Sequence, residues 1–127
     1  IFAVEGVFGK LIYSADIDSM FEPYVYPQES GMHCDTKKIV LSADDGTSLA
    51  IYADDKINFS VHHFTQTAID RAKHQEDLKD MNTTVLTLDG FTRGIGSGSC
   101  GPETRDEYKA DASLGYSFGF TLIPHTR

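Results

Sequence analysis

Thr36-Lys-Lys-Ile-Val-Leu-Ser-Ala-Asp-Asp-Gly-Thr-Ser-Leu-Ala-Ile-Tyr-Ala-Asp-Asp-Lys-Ile-Asn-Phe-Ser-Val61 is built from short runs with a period of two, separated by turn formers. Thr36–Ser42 has polar ends and an apolar centre. Asp44-Asp45-Gly46 then supplies a turn whose carboxylates can accept from backbone N–H groups. Ser48–Tyr52 alternates again, and Asp54-Asp55-Lys56 reads as the next break. In the last run Ile57, Phe59 and Val61 fall on one face, with Asn58 and Ser60 on the other. The stretch predicts consecutive antiparallel strands with one buried face.

Outward from it the pattern changes. Thr65–Leu78 is rich in Gln, Ala, Asp, Glu and Lys and lacks Gly and Pro, and Ala68, Ile69, Ala72 and Leu78 share a helical face. One or two short helical turns are expected there, with Thr65 or Thr67 as N-cap. Thr83–Leu88 returns to strand character, Asp89-Gly90 is a turn or bulge, and Gly94–Pro102 is a glycine-rich loop. A last strand is predicted over Leu114–Leu122, where Gly115 and Gly119 suggest close approach of another backbone or sheet. The expected fold is mainly β, an antiparallel β-sandwich with a short helical insertion around residues 65–78.

The 127 residues suit one domain, and 40% apolar side chains with 8 Phe and 6 Tyr can furnish its core. With 19 acidic against 11 basic residues the net charge is −8, which repels phosphate backbones and anionic headgroups. Nucleic acid and membrane are therefore excluded as partners. No apolar run approaches the ~20 residues of a spanning helix, since Glu5 and Lys10 interrupt Ile1–Tyr13, and that stretch lacks the basic start and cleavage site of a signal peptide. Cys34 and Cys100 are too few for a disulfide scaffold, so free thiols in a reduced, cytoplasmic setting are expected. A start at Ile1 reads as a segment of something longer.

Several constellations invite chemistry. The loop Gly94-Ile-Gly-Ser-Gly-Ser-Cys-Gly-Pro102 could cradle a phosphate, but it contains no Lys and matches neither the dinucleotide nor the P-loop spacing. It reads better as a sheet-edge loop kept open to a close-approaching group. His62 and His63 point to opposite faces of a strand and cannot share an ion, His33 beside Cys34 has the same geometry, and His74 sits in a solvated segment. Cys100 is the candidate nucleophile by accessibility, yet no base can be placed beside it, so an unreactive cysteine is the better reading. The pairs Asp44/Asp45 and Asp54/Asp55 sit at strand breaks, where turn chemistry explains them better than glycoside hydrolysis.

Three blocks carry a family resemblance. They are Ser14-Ala-Asp-Ile-Asp-Ser-Met-Phe-Glu-Pro-Tyr-Val-Tyr-Pro-Gln-Glu-Ser-Gly-Met-His-Cys-Asp35, Ile57-Asn-Phe-Ser-Val-His-His-Phe64, and Leu86-Thr-Leu-Asp-Gly-Phe-Thr-Arg-Gly-Ile-Gly96 running into Ser97-Gly-Ser-Cys-Gly-Pro102. In this order and spacing the chain resembles the C-terminal domain of the family 2 β-galactosidases, over roughly residues 13–123. Residues 1–12 are an unmatched N-terminal stretch, and 13–127 the expected domain. The resemblance implies part of a β-supersandwich of galactose-mutarotase-like form. The catalytic glutamates of the retaining enzyme then lie in a preceding barrel, so this chain supplies no catalytic residue and is inactive alone. It also implies that the loop after Gly-Ile-Gly reaches the active-site mouth, where relatives carry a sugar-stacking Trp. This chain has no Trp; Ser97, Ser99 and Cys100 are the expected substrate-binding residues, and they can contact a sugar but not stack on it. No cofactor is expected in this segment, with the family's Mg and Na ions bound elsewhere. Expected partners are the preceding catalytic domains, a β-galactoside at loop 97–101, and a second copy in a homo-oligomer.

The other reading is a freestanding β-sandwich carbohydrate-binding or interaction module. The missing Trp weakens it, although Tyr108 or Tyr116 could provide the aromatic platform.

Overall fold

A computed structural model describes residues 2–8, 11–94 and 101–126. The chain forms β1 (Phe2–Phe8), β2 (Leu11–Asp16), β3 (His33–Ala43), β4 (Ser48–His62), the helix α1 (Gln66–Arg71), β5 (Val85–Asp89) and β6 (Phe120–His125), with single 3-10 turns between several of them. The strands make one open antiparallel sheet in the order β2-β1-β3-β4-β5. The far edge of β4 is shared: Ser48–Ala53 pair with β6, and Asn58–His62 pair with β5.

The turn at Asp44-Asp45-Gly46 forms as the residues dictate. Asp45 Oδ1 accepts from the Thr47 amide at 2.8 Å and from its hydroxyl at 2.6 Å, and Gly46 takes φ 85°. Those two bonds hold the Asp45 carboxyl below the usual aspartate range. Asp54-Asp55-Lys56, by contrast, is not a break. β4 runs straight through it as one 15-residue strand. The register explains why: Ile57 pairs with Thr36, but Tyr52 already pairs with Lys38, so the surplus residues of β4 bulge out from β3 and the strand continues. Asp54 keeps a backbone partner there, its N–H donating to the Gly119 carbonyl at 3.0 Å.

A second irregularity lies opposite, where Asp35 adopts φ 55° and its carboxylate meets Lys56 Nζ at 2.6 Å. This carboxylate raises the Lys56 pKa. The bulges shift the inward row of β3, so that His33, Thr36, Ile39 and Leu41 pair with Phe59, Ile57, Ile51 and Leu49. These residues build the core on one face, with Ile39, Ile51, Phe59, Val61 and Thr36 fully buried. Ile17 and Met20, from the 3-10 turn Ile17–Met20, close over it. Gly31, at φ 70°, lets the returning chain touch the Met20 carbonyl, which a Cβ would strike.

The helical insertion is shorter than the stretch that predicts it. Thr65 caps α1, its Oγ1 accepting from the Ala68 amide at 3.1 Å, and Ile69 and Ala72 are buried. One further 3-10 turn follows at Gln75–Asp77. The last predicted strand is displaced toward the C-terminus. Ala112–Leu114 is a 3-10 turn ending on Gly115 at φ 66°, with nothing near its missing Cβ, and pairing begins only at Phe120. Gly119 does mark a close approach, to the Asp54 carboxylate. Residues 2–8, outside the resemblance, lie in the sheet between β2 and β3.

Candidate functional site

The expected substrate-binding residues Ser97, Ser99 and Cys100 lie outside the described residues. What the structure gives is the chain on either side of them, up to Gly94 and from Gly101. On the entering side, Gly94 N–H donates to the Tyr108 carbonyl at 2.9 Å, and the Gly94 carbonyl accepts from Thr104 Oγ1 at 2.8 Å. Thr104 is one of four buried polar residues among those described. Arg93 Nη2 meets Glu103 Oε2 at 3.2 Å, a solvent-exposed pair of small energetic value that still closes the stem. Both ends of the loop are therefore fixed to each other.

The stem is also tied to the sheet. Asn58 Nδ2 donates to Thr92 Oγ1 at 2.8 Å, while Asn58 Oδ1 accepts from the Asp35 amide at 3.1 Å. One side chain on β4 thus joins the β3 bulge to the segment that follows β5. Beyond the stem, the segment 102–116 is organised locally. Asp111 accepts from the Ser113 hydroxyl and amide, Lys109 meets Asp106 at 2.7 Å, and each carboxyl is lowered accordingly.

The remaining candidates separate. His62 is buried against Phe21 in an edge-on contact with centroids 5.6 Å apart. Desolvation lowers its pKa, outweighing the Ser30 backbone hydrogen bond and the Glu29 charge, and its Nδ1 has no partner. His63 turns instead toward Asp18, at 3.6 Å. His33 stacks on Phe59 and lies against Tyr13. His74 is exposed; its backbone N–H and that of Lys73 donate to the Asp77 carboxylate and lower its pKa. Among the described residues no three His, Cys, Asp or Glu side chains converge as a metal site. Cys34 is an exposed free thiol. No helix among the described residues is long and apolar enough to cross a membrane.

Sequence reading missed Asn58 and Thr104, because a lone polar residue in a strand or loop gives no periodic signal. It noticed Tyr116 but not the rings around it. Phe91 and Tyr116 stack with centroids 5.0 Å apart, and Phe118 lies over the backbone of Gly90.

The protein is thus of the mainly β class, one open antiparallel sheet with little helix. Residues 10–122 match the family described as beta galactosidase small chain, and the chain belongs to that family. It is 34% identical over 100 residues to a beta-galactosidase of Kluyveromyces lactis, covering 78% of this chain and 10% of that protein. A beta-galactosidase of Actinobacillus pleuropneumoniae is 32% identical over 114 residues, covering 88% of this chain and 10% of that one. One from Vibrio cholerae is 31% identical over 84 residues, covering 66% and 8%. The chain therefore spans about a tenth of the length of the curated relatives it matches.

Proposed function

We propose that this chain is the C-terminal accessory domain of a retaining family 2 β-galactosidase that hydrolyses terminal β-D-galactosides such as lactose. In this reading it completes the active-site rim and supports a catalytic barrel that carries both reacting glutamates. The observation that carries it is the doubly anchored stem: Gly94 is bonded to Thr104 and Tyr108, and Thr92 to Asn58, so the described segments flanking residues 95–100 form a fixed base. A rim loop needs that base, because substrate contacts are useful only when they are held in place. Family membership over residues 10–122 supports the same reading.

Ser97, Ser99 and Cys100 would then meet the leaving sugar through hydroxyls, backbone and a small thiol, where an indole could have stacked. The exposed Leu122 of β6, on the same face of the sheet as Ile51, together with the open form of the sheet, leaves apolar surface for a second layer. The preceding residues of the enzyme supply that layer and complete a β-sandwich of galactose-mutarotase-like form. Mg and Na ions belong to the preceding domains in this reading, the enzyme is cytoplasmic, and copies of it can associate.

The test is kinetic, in the full-length enzyme. Replacing Ser99 and Cys100 together by Ala is expected to change acceptor preference and KM for lactose while leaving galactosyl-enzyme formation from an aryl galactoside nearly intact. Equal loss on both substrates with a lower Tm would instead assign the loop to docking on the barrel. It would overturn the substrate contact.

A further inference from the structure

Residues 21–32 pass from the 3-10 turn Ile17–Met20 to β3 without helix or strand, and they meet the end of β4 at His62, which is 7% exposed. Phe21 sets its ring edge-on to the imidazole at 5.6 Å and lies 5.2 Å from the Phe64 ring. The Ser30 backbone hydrogen-bonds to the imidazole. Gly31 approaches so closely that a Cβ there would lie 3.4 Å from His62 Cε1. The segment is tied within itself by the Glu22 N–H, which donates to Ser30 Oγ at 3.0 Å. Gln75 Nε2 donates to the Tyr24 carbonyl, and His33 Nδ1 meets the Gly31 carbonyl at 2.8 Å. Buried among these contacts, His62 Nδ1 has no hydrogen-bond partner. A neutral imidazole can leave one nitrogen as a bare lone pair. In the imidazolium both nitrogens carry protons, and a buried N–H without an acceptor is costly.

We propose that His62 is a proton-operated latch for residues 21–32, which lie closed over the neutral ring and swing away from the sheet when the ring is protonated. Titratable groups face the ring from each neighbour: Glu29 from the segment itself, His63 from β4, Asp18 from the 3-10 turn and Asp80 from the stretch before β5. Asp18 is drawn to His63, at 3.6 Å, and desolvation of His62 outweighs the pull of Glu29, so the closed form holds the ring neutral. A cleft of about 230 Å³ beside the ring, with Asp18 and Asp80 on its walls, gives an imidazolium carboxylates to turn toward. Opening takes Phe21 off His62 and Phe64, while the pairing of β4 with β3 and β5 stays in place. Opening is linked to one proton: it becomes more favourable as pH falls through 6.5, by at most about tenfold per pH unit, down to the closed-state pKa. All of these contacts lie within the chain, so the latch goes beyond the proposed function and requires neither the barrel nor loop 97–101.

The experiment is amide hydrogen exchange of the 127-residue chain, read by mass spectrometry at about pH 7.5 and about pH 5.5 and corrected for the intrinsic rate. Peptides covering residues 21–32 are expected to open severalfold more at the lower pH, with β3 and β4 still protected. In the unchanged chain, the His62 ring followed by NMR should titrate below 6.5, and the Ser30 and Gly31 amides should shift with the same midpoint. His62→Gln should abolish the pH response of this segment, whereas His63→Gln should leave it. The proposal is overturned if exchange of residues 21–32 is the same at both pH values, if β3 and β4 open in step with them, if the His62 and Ser30 midpoints differ, or if the response persists in His62→Gln.

Discussion

Asn58 and Thr92, 34 positions apart, are joined by a side-chain hydrogen bond of 2.8 Å that fastens the stem of the glycine loop to the longest strand. The same amide accepts from Asp35 N–H at 3.1 Å, at the one described non-glycine residue with positive φ. A single planar group thus fixes a backbone irregularity on one side and a loop entrance on the other. The amide suits this task because it donates and accepts from one rigid plane.

Asn58→Ala is expected to lower stability by about 0.5–1.5 kcal/mol, since both of its hydrogen bonds are solvent-exposed and water can take the place of the lost partner. Urea denaturation measures it. A double-mutant cycle with Thr92→Val should show coupling; strict additivity would mean the bond contributes nothing.

Phe59 is fully buried, pairs with His33 and Leu88 across the sheet, and stacks on the His33 ring at 5.2 Å. Phe59→Ala should cost about 3–5 kcal/mol through lost burial and the cavity it leaves. A denaturation midpoint close to that of the unchanged chain would show that the sheet face is not the core.

His62 sets an acid limit. Burial lowers its folded-state pKa below the unfolded value of 6.5, so the unfolded chain binds this proton more readily. The contribution to stability is fully present above pH 6.5 and is lost as pH falls through 6.5 toward the folded pKa, with a slope of at most about 1.4 kcal/mol per pH unit. Thermal scans between neutral and mildly acid pH should show the decline, and His62→Phe should flatten it. An equally steep decline in that variant would assign the effect to other groups.

Leu122 is half exposed on β6, and Ile123 beside it is 39% exposed. The 127-residue chain is expected to self-associate through such uncovered apolar surface and free strand edges, and Leu122→Lys should reduce this. Light scattering across a concentration series checks it. A monomer at all concentrations in both forms would contradict the expectation.

The sequence by itself determined that this is a β-protein, where the Asp44-Asp45-Gly46 turn lies, that Ile57, Phe59 and Val61 are inward residues of one strand, and that Thr65 or Thr67 opens a short helix, the structure choosing Thr65. Each of these rests on residues within a few positions of one another, whose periodicity or cap is written locally. The continuity of β4 through Asp54-Asp55-Lys56 was decided only by tertiary structure. That triplet has the composition of a turn and becomes a bulge because β3 and Gly119 hold the backbone on either side. For the same reason the inward row of β3 slips to include Thr36, and pairing of the last strand waits until Phe120. The Asn58 bridge and the gathering of Phe91, Tyr116 and Phe118 were likewise invisible along the chain, because they join segments tens of residues apart through contacts that exist only once the sheet has formed.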